Sequence, residues 1–352
     1  MKAVSTTSPA TLPELLRHLL AARDLTRIQA AQLVNGMLSP DTPDAQIAAA
    51  LALMVAKGEN PEELAGFADS LYERVLPIGI PSNVLDTAGT GASKVKTFNV
   101  SSAASFVIAG AGCAIAKHGA RASTSHSGSA DVLTALGVRI DCEVEIAGRC
   151  LRELDLCFLF APKYHPALAR VAHIRRALGI RTTFNLVGPM VSPCRAQYRL
   201  LGVADQARMT DVAGALSLIG VKRGWVLRGG DGLDEITTAG GTRVLEVQEG
   251  QHNQWLTVSP ADFGIAQQPT DDARTGSVEE NAAIVRAVLA GERRDVARDL
   301  VVLNAAAALH VRTGDGLREC AERAQRAIDD GAALKKLESL IEMSQSAEGA
   351  AR

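Results

Sequence analysis

The sequence predicts an α/β protein in which an all-helical N-terminal segment precedes a mostly parallel central sheet with helices around it. Two features of the chain predict this fold class. The first ~75 residues contain only helical patterns, and from Val84 onward short apolar runs alternate with helical segments. Continuous apolar strands that are separated by helices are typical of a parallel sheet buried on both faces.

The N-terminal segment carries local signals for helix starts and ends. Thr26 and Gln29 have the spacing of a capping box, and Asn60 followed by Glu63 predicts a second helix start. Gly58 is typical of a helix end. One apolar stripe with i, i+3, i+4, i+7, i+8 spacing comprises Leu12, Leu15, Leu16, Leu19 and Leu20. Because such short helices cannot enclose a core, we expect them to pack on the rest of the chain or on a second subunit.

The second segment contains five apolar runs that predict strands. In chain order they are NVLDT, CAIAKHG, LCFLF, YRLLGVA and GWVLRGG. Helices are predicted between them over 99–110, 129–136 and 166–178, and ahead of Gly220. TRVLEVQEG and NQWLTV then predict a hairpin, helices follow from Asn281, and a disordered tail is expected at 346–352.

Composition limits the classes of function. The 352 residues are 47% apolar and 22% charged, which indicates a soluble globular protein. A net charge of −2 offers no electrostatic case for a nucleic-acid or membrane partner, and 3% aromatic content argues against base-stacking surfaces. The six cysteines show no C-x-x-C spacing, and neither a signal peptide nor a transmembrane run is recognisable, so we expect a cytoplasmic protein with reduced thiols.

Three polar clusters follow predicted strands. The first is the glycine-rich loop Gly89–Ser102, the second is the cationic, hydroxyl-rich run Lys117–Ser129, and the third contains the adjacent acids Asp234 and Glu235. Ligands of parallel sheets bind at the carboxyl ends of strands, so we expect the three clusters to converge. Backbone N–H groups, a lysine and a carboxylate pair are the groups that hold a magnesium–polyphosphate. A fourth cluster has two arginines, Arg175 and Arg176, in the last turn of a predicted helix, where one can complement the helix dipole and the other can hold a substrate carboxylate.

Five ordered blocks of the chain resemble the anthranilate phosphoribosyltransferases over nearly its whole length. The blocks are DTAGTGASKVKTFNVSSAASF, AKHGARASTSHSGSAD, FAPKYHPALARVAHIRRALGIRTTFNLVGP, GLDEIT and ENAAIVRAVLAGE with RDLVVLNAAAAL. The resemblance implies the nucleoside phosphorylase/phosphoribosyltransferase class III fold, with a helical domain at 1–76 joined by a helical segment near 166–195. It also implies an α/β domain at 77–345 and a homodimer. The implied reaction moves the phosphoribosyl group of 5-phosphoribosyl diphosphate (PRPP) to the amine of anthranilate in tryptophan biosynthesis.

The resemblance also implies site residues by position. For PRPP they are Gly89, Ala92, Ser93, Thr97, Asn99, Val100, Ser101, Ser102, Lys117, His118, Gly119, Ala120, Arg121, Ala122, Ser123, Thr124, Ser125 and Ser129. For the acceptor they are Gly89, Ala120, Ala161, Pro162, His165 and Arg175. Ser101, Asp234 and Glu235 are the implied ligands of Mg²⁺, two ions per site, and Lys117, Asp234 and Glu235 are the implied catalytic groups.

The chain departs from the family pattern in two places. GTGGD becomes GTGAS, which places Ser93 where the family has an acid, and KHGNR becomes KHGAR, which places Ala120 where the family has an asparagine. Lys94 and Lys96 add positive charge to the first loop, and we hypothesise that one of them contacts the diphosphate. Two alternatives remain open: a paralogue that uses another aromatic amine or carboxylate as acceptor, and a non-catalytic relative that binds nucleic acid. The net charge argues against the second alternative.

Overall fold

The computed structural model describes residues 10–91, 93, 95–122, 127–273 and 276–346. Its N-terminal part is helical, as predicted. The four helices are α1 (Leu12–Leu20), α2 (Arg27–Leu38), α3 (Asp44–Lys57) and α4 (Pro61–Tyr72). No helix in the described part of the chain has both the length and the apolar character that a membrane crossing needs.

The predicted helix starts and ends are confirmed. The Thr26 hydroxyl accepts a hydrogen bond from the Gln29 N–H at 3.2 Å, and the Asn60 side chain accepts one from the Glu63 N–H at 2.9 Å. In return the Glu63 carboxylate accepts from the Asn60 N–H at 3.0 Å. Gly58 ends α3 with a φ of +85°, a conformation that glycine adopts without strain.

A seven-stranded sheet forms the centre of the α/β part, in the order β3-β2-β1-β4-β5-β6-β7. The strands are β1 (Leu85–Gly89), β2 (Ile115–Gly119), β3 (Leu156–Phe160), β4 (Tyr198–Gly202), β5 (Arg223–Gly229), β6 (Thr242–Gln248) and β7 (Gln254–Val258). Strands β1 to β5 pair in parallel, and the predicted hairpin adds β6 and β7 in antiparallel pairing. The fold class is therefore the one that the sequence predicts.

Helices cover the sheet and connect its strands. They are α5 (Val100–Gly110), α6 (Ser129–Ala135), α7 (Val144–Leu154), α8 (Ala161–Tyr164), α9 (Ala169–Leu178), α10 (Thr183–Met190), α11 (Met209–Leu218), α12 (Val278–Leu289), α13 (Val296–Thr313), α14 (Leu317–Asp329) and α15 (Ala332–Gln345). The predicted helix over 166–178 is shorter than expected, because Pro166–Leu168 forms a 3₁₀ turn and α9 begins only at Ala169. The Leu168 N–H bonds back to the His165 carbonyl over three residues, a tighter spacing than an α-helix uses.

Two apolar cores lie on opposite sides of the sheet. The first joins the sheet to α5 and the C-terminal helices, with Trp225 and Phe106 among its members. The second joins α1 to α4 with α9, α10 and α11, and it includes Phe67 and Phe184 from the helices and Leu201 from the sheet. The N-terminal helices thus pack on the rest of the chain, which is one of the two arrangements that their length predicts.

Helices α2 and α4 cross closely at Gly66, and this crossing supplies a test of stability. A Cβ added at Gly66 would overlap the Arg27 carbonyl oxygen and lie 2.8 Å from the Ala30 Cβ. Since backbone cannot move aside like a side chain, we expect Gly66→Ala to lower the free energy of unfolding by about 1–3 kcal/mol.

The matched control for this substitution is Gly36→Ala in α2, where the added Cβ would lie 3.4 Å from the Leu12 Cβ, an ordinary contact. Alanine favours helix over glycine by up to about 1 kcal/mol, so this variant should be neutral or more stable. Urea unfolding of both variants measures the difference. Equal stability of the two would show that the α2–α4 crossing tolerates a methyl group.

Candidate functional site

The three predicted clusters meet at the carboxyl edge of the sheet. Strands β1 and β2 end there at Gly89 and Gly119, and the acids Asp234 and Glu235 reach the same edge from the loop after β5. A cleft of about 460 Å³ opens between this edge and helices α9 and α10. The convergence that the sequence predicts is therefore present.

The two acids are held by backbone groups of the first cluster. Asp234 Oδ2 accepts a hydrogen bond from the Gly91 N–H at 3.2 Å, and a Cβ at Gly89 would lie only 2.8 Å from the same oxygen. Glu235 Oε1 accepts from the Ser101 N–H in the first turn of α5 at 3.1 Å. Thr97 donates its hydroxyl to Glu235 Oε2 at 3.4 Å. Glycine at 89 is thus required by the approach of a carboxylate rather than by a turn.

Burial disfavours the charged forms of both acids. Loss of water around the carboxyl, and second the neighbouring Asp234 charge, raise the pKa of Glu235 to about 8. Burial also raises the pKa of Asp234, although the charge of Lys96 and the Gly91 hydrogen bond oppose that effect. Two adjacent buried carboxyl groups favour the binding of a cation, because a cation neutralises the charge that burial disfavours.

A small cavity lies beside these acids. It has a volume of about 10 Å³, it is lined by Asp234, Glu235 and Ser101 and by apolar side chains that include Leu200 and Leu227, and it shares Ser101 with the large cleft. That volume holds about one water-sized particle. The described residues contain no group of three or more His, Cys, Asp or Glu that could enclose a metal, so phosphate oxygens and water would complete the coordination of Mg²⁺.

Lys117 lines the cleft beside the first turn of α5. Its side chain is buried, and its Nζ donates to the Thr87 carbonyl at 2.9 Å and to the Ser101 hydroxyl at 3.3 Å. Burial lowers the pKa of Lys117 to about 8, while the charges of Asp86 and Glu235 oppose that effect. The amine therefore lies between the strand ends and the first turn of α5, where an anionic group would stabilise its charge.

An arginine and two neutral histidines also line the cleft. Arg175 donates to the Thr182 hydroxyl at 3.2 Å and to the Asn185 side-chain oxygen at 3.4 Å, and it forms no ion pair with an acid in the described ranges. His118 and His165 are buried, their rings are 5.3 Å apart, and neither Nε2 has a hydrogen-bond partner among the described residues. Burial lowers the pKa of His165 to about 4 and that of His118 in the same direction, so both imidazoles are neutral at pH 7.

Most of the predicted site residues line the cleft. Those that do are Gly89, Asn99, Ser101, Ser102, Lys117, His118, Gly119, Ala120, Arg121, Ser129, Ala161, His165 and Arg175. Seven others are not part of its wall: Ser93, Thr97, Val100, Ala122 and Pro162, and the acids Asp234 and Glu235, which line the smaller cavity instead. Val100 is fully buried, and Ser93 donates its hydroxyl to the Gly232 carbonyl at 2.8 Å. Ala92, Lys94, Ser123, Thr124 and Ser125 lie outside the described residues.

The sequence by itself assigned no role to the individual residues with which α10 lines the cleft. Phe184, Asn185, Gly188 and Pro189 line it, as does Leu71 from the N-terminal helices. These residues do not follow a strand, so the expectation that ligands bind at the carboxyl ends of strands gives no reason to select them. The spacing of Thr182 and Asn185, a capping pair in which the Asn185 oxygen accepts from the Thr182 N–H at 2.9 Å, was the available signal for a helix start here.

Known proteins resemble this chain in sequence and in structure. The family described as "Glycosyl transferase family, a/b domain" matches residues 81–334, and the "Glycosyl transferase family, helical bundle domain" matches 13–75. An anthranilate phosphoribosyltransferase of Herpetosiphon aurantiacus is 44% identical over 91% of this chain and 95% of its own length.

Two solved structures have the same fold. Anthranilate phosphoribosyltransferase from Thermus thermophilus matches with a TM-score of 0.88 and 33% identity, over 94% of this chain and 99% of that one. The enzyme from Saccharomyces cerevisiae in complex with PRPP and Mg matches with a TM-score of 0.86 and 27% identity, over 97% of this chain and 99% of that one.

Proposed function

Because this chain belongs to the anthranilate phosphoribosyltransferase family, we propose that its cleft transfers the 5-phosphoribosyl group of PRPP to the amine of anthranilate and releases diphosphate. This reaction belongs to tryptophan biosynthesis. One observation carries the proposal: the acid pair lines a small cavity that shares Ser101 and Ala88 with a cleft, and that cleft is lined by a buried lysine and by an arginine without an acidic partner among the described residues. These are the charges that a metal-bound diphosphate and an aromatic carboxylate require.

At the donor end, Asp234, Glu235 and the Ser101 hydroxyl would hold Mg²⁺, with two ions per site. When bound, Mg²⁺ supplies positive charge that stabilises the leaving diphosphate. The Ser102 hydroxyl lines the cleft and has no hydrogen-bond partner among the described residues, so it is available for a phosphate oxygen. The Lys117 amine, which already donates to Thr87 and Ser101, would supply positive charge beside it. Catalysis here consists mainly of positioning and electrostatic stabilisation.

At the acceptor end, Arg175 binds the anthranilate carboxylate, and the ring lies beside Ala161 and His165, which line the cleft. Arg175 can donate further hydrogen bonds, because its bonds to Thr182 and Asn185 use only two of its five N–H groups. An arylamine is neutral at pH 7 and nucleophilic, so the site needs no strong base. We propose that the neutral His118 and His165 position the acceptor. Their Nε2 atoms have no hydrogen-bond partner among the described residues.

The remaining features of the proposal concern assembly and location. We propose a homodimer formed through the N-terminal helices, where Leu20 and Ile28 are 70% and 72% exposed, and a cytoplasmic location. We also propose the division into a helical domain at 1–76, completed by the helical segment near 166–195, and an α/β domain at 77–345. The second apolar core supports this division, since it unites α1 to α4 with α9 and α10.

The direct test is loss of anthranilate fluorescence on mixing the protein with anthranilate, PRPP and MgCl₂. We expect turnover that depends on both PRPP and magnesium and that stops when EDTA is added. Absence of turnover, with PRPP binding retained in titration calorimetry, would contradict anthranilate as the acceptor. A panel of aminobenzoates would then identify the acceptor that is used.

Ala120 is the residue that suggests an acceptor other than anthranilate. This residue is exposed at the cleft, and its methyl group offers no hydrogen bond where the family pattern has an asparagine. A lost substrate hydrogen bond costs roughly 0.5–1.5 kcal/mol, so we expect Ala120→Asn to raise kcat/KM for anthranilate by roughly 2- to 12-fold. The control is Ala120→Leu, which adds volume without a hydrogen bond and should lower activity. A decrease with asparagine, together with preference for another aminobenzoate, would indicate that the acceptor has changed.

A further inference from the structure

Arg181 connects the acceptor side of the cleft to the glycine loop of the donor side. It lies in the short connection between α9 and α10. Its guanidinium donates to the Thr90 carbonyl at 3.0 Å and to the Gly91 carbonyl at 3.1 Å, about 90 residues earlier in the chain. Both acceptors are neutral backbone groups, and Arg181 forms no ion pair with any acid that the structure describes.

The Thr90 carbonyl belongs to the same peptide unit as the Gly91 N–H that bonds to Asp234. A peptide unit is planar and trans, so its C=O and N–H point in opposite directions. Arg181 therefore contacts one side of this unit at 3.0 Å while Asp234 Oδ2 contacts the other side at 3.2 Å. A cation on the carbonyl also polarises the unit and strengthens the N–H as a donor. The orientation of this single peptide thus links Arg181 to the acid pair.

The same connection reaches Arg175 through the next residue. Thr182 follows Arg181 directly, and its hydroxyl accepts from Arg175 Nε at 3.2 Å. Asn185 accepts from both the Thr182 N–H at 2.9 Å and the Arg175 guanidinium at 3.4 Å. A movement of Arg175 toward a bound carboxylate changes these contacts, and the change passes to Arg181 across one peptide bond.

We propose that Arg181 is a positioning residue that couples occupancy of the acceptor end to the geometry of the Asp234–Glu235 pair. This inference rests on the proposed function for the identity of the two ligands. It assigns to Arg181 a role that differs from that of Arg175, since Arg181 does not line the large cleft. Thermodynamic linkage requires the coupling to be reciprocal, so each ligand tightens the binding of the other by the same factor.

The test uses two ligands that do not react with each other, anthranilate and magnesium diphosphate. Each Kd is measured by titration calorimetry with and without the other ligand, for the wild type and for Arg181→Met, Arg181→Lys and Arg176→Met. Arg176 is exposed, makes no hydrogen bond or ion pair that the structure describes, and is the matched control. Thermal unfolding of each variant shows whether the fold is intact.

For the wild type we expect each ligand to tighten the other at least about fivefold, within the usual range of coupling between sites. In Arg181→Met, each ligand should change the Kd of the other by less than about twofold, and magnesium diphosphate alone should bind roughly tenfold more weakly than to the wild type. Lysine should restore part of both effects, and Arg176→Met should behave as the wild type. A purely structural role would lower the melting temperature without changing the coupling factor.

Two results would overturn the inference. In the first, neither ligand changes the Kd of the other in the wild type. In the second, Arg181→Met keeps both the wild-type coupling factor and the wild-type affinity for magnesium diphosphate. Failure of the proposed function has a different signature. In that case anthranilate does not bind to the wild type at all, while the effect of Arg181→Met on diphosphate affinity is still measurable and still tests the link to the acid pair.

Discussion

Replacing Glu235 with glutamine is expected to lower kcat/KM for both substrates by roughly 10²–10³-fold, the usual cost of losing one preorganised electrostatic group. Glutamine has the same shape, and its carbonyl oxygen can still accept from the Ser101 N–H, which now bonds to Glu235 Oε1 at 3.1 Å. The substitution therefore removes the negative charge that the metal-bound form would carry and leaves the packing nearly unchanged. Steady-state kinetics over a range of magnesium concentrations measures the effect.

The stability of this variant should separate a loss of chemistry from a loss of fold. Burial makes the charged form of Glu235 unfavourable, as its pKa of about 8 indicates, so the glutamine variant should unfold at the wild-type temperature or above it when no magnesium is present. Magnesium with diphosphate should raise the melting temperature of the wild type and have little effect on that of the variant.

Asp231 supplies the matched control for Glu235, since it is an acid of the same loop whose partners lie within that loop. Its carboxylate accepts from the Thr237 hydroxyl at 2.7 Å and from the Leu233 N–H at 3.1 Å. Asp231→Asn should cost stability yet keep the magnesium response. If Glu235→Gln retained kcat/KM within tenfold of the wild type, the assignment of this carboxylate to the metal would be wrong.

Arg175→Met is expected to raise the KM for anthranilate by roughly 10- to 150-fold, which corresponds to the ~1.5–3 kcal/mol of a hydrogen bond to a charged group. The kcat should change little, because the carboxylate is bound equally in the ground state and the transition state. The KM for PRPP should stay within threefold. Methionine keeps an apolar stem near Phe184, whose ring centroid lies 5.4 Å from the Arg175 guanidinium carbon.

A change of substrate makes this prediction specific. Aniline is anthranilate without the carboxylate, so the wild type should discriminate strongly between the two and Arg175→Met should lose most of that discrimination. Arg176→Met is again the control and should keep wild-type kinetics. If the KM for anthranilate rose less than threefold in Arg175→Met, another group would have to bind the carboxylate.

The sequence predicted those features that depend on near neighbours in the chain. Capping at Thr26 and Asn60 needs only a partner three residues away, and both caps are present. The alternation of apolar runs with helices predicted the parallel strands, and the rule that ligands bind at strand ends then selected Lys117 and the 234–235 acids. Each of these inferences uses spacing along the chain, which the sequence contains in full.

Other features depend on which distant segments touch, and spacing along the chain does not contain that information. Two such features are the bond of the Ser93 hydroxyl to the Gly232 carbonyl and the position of α10 along one side of the cleft. By itself the sequence determined the fold class and the chemistry at the strand ends. Only the tertiary structure decided that Arg181 meets the peptide between Thr90 and Gly91, because such a contact arises from the packing of α10 against β1 and of α9 against the N-terminal helices.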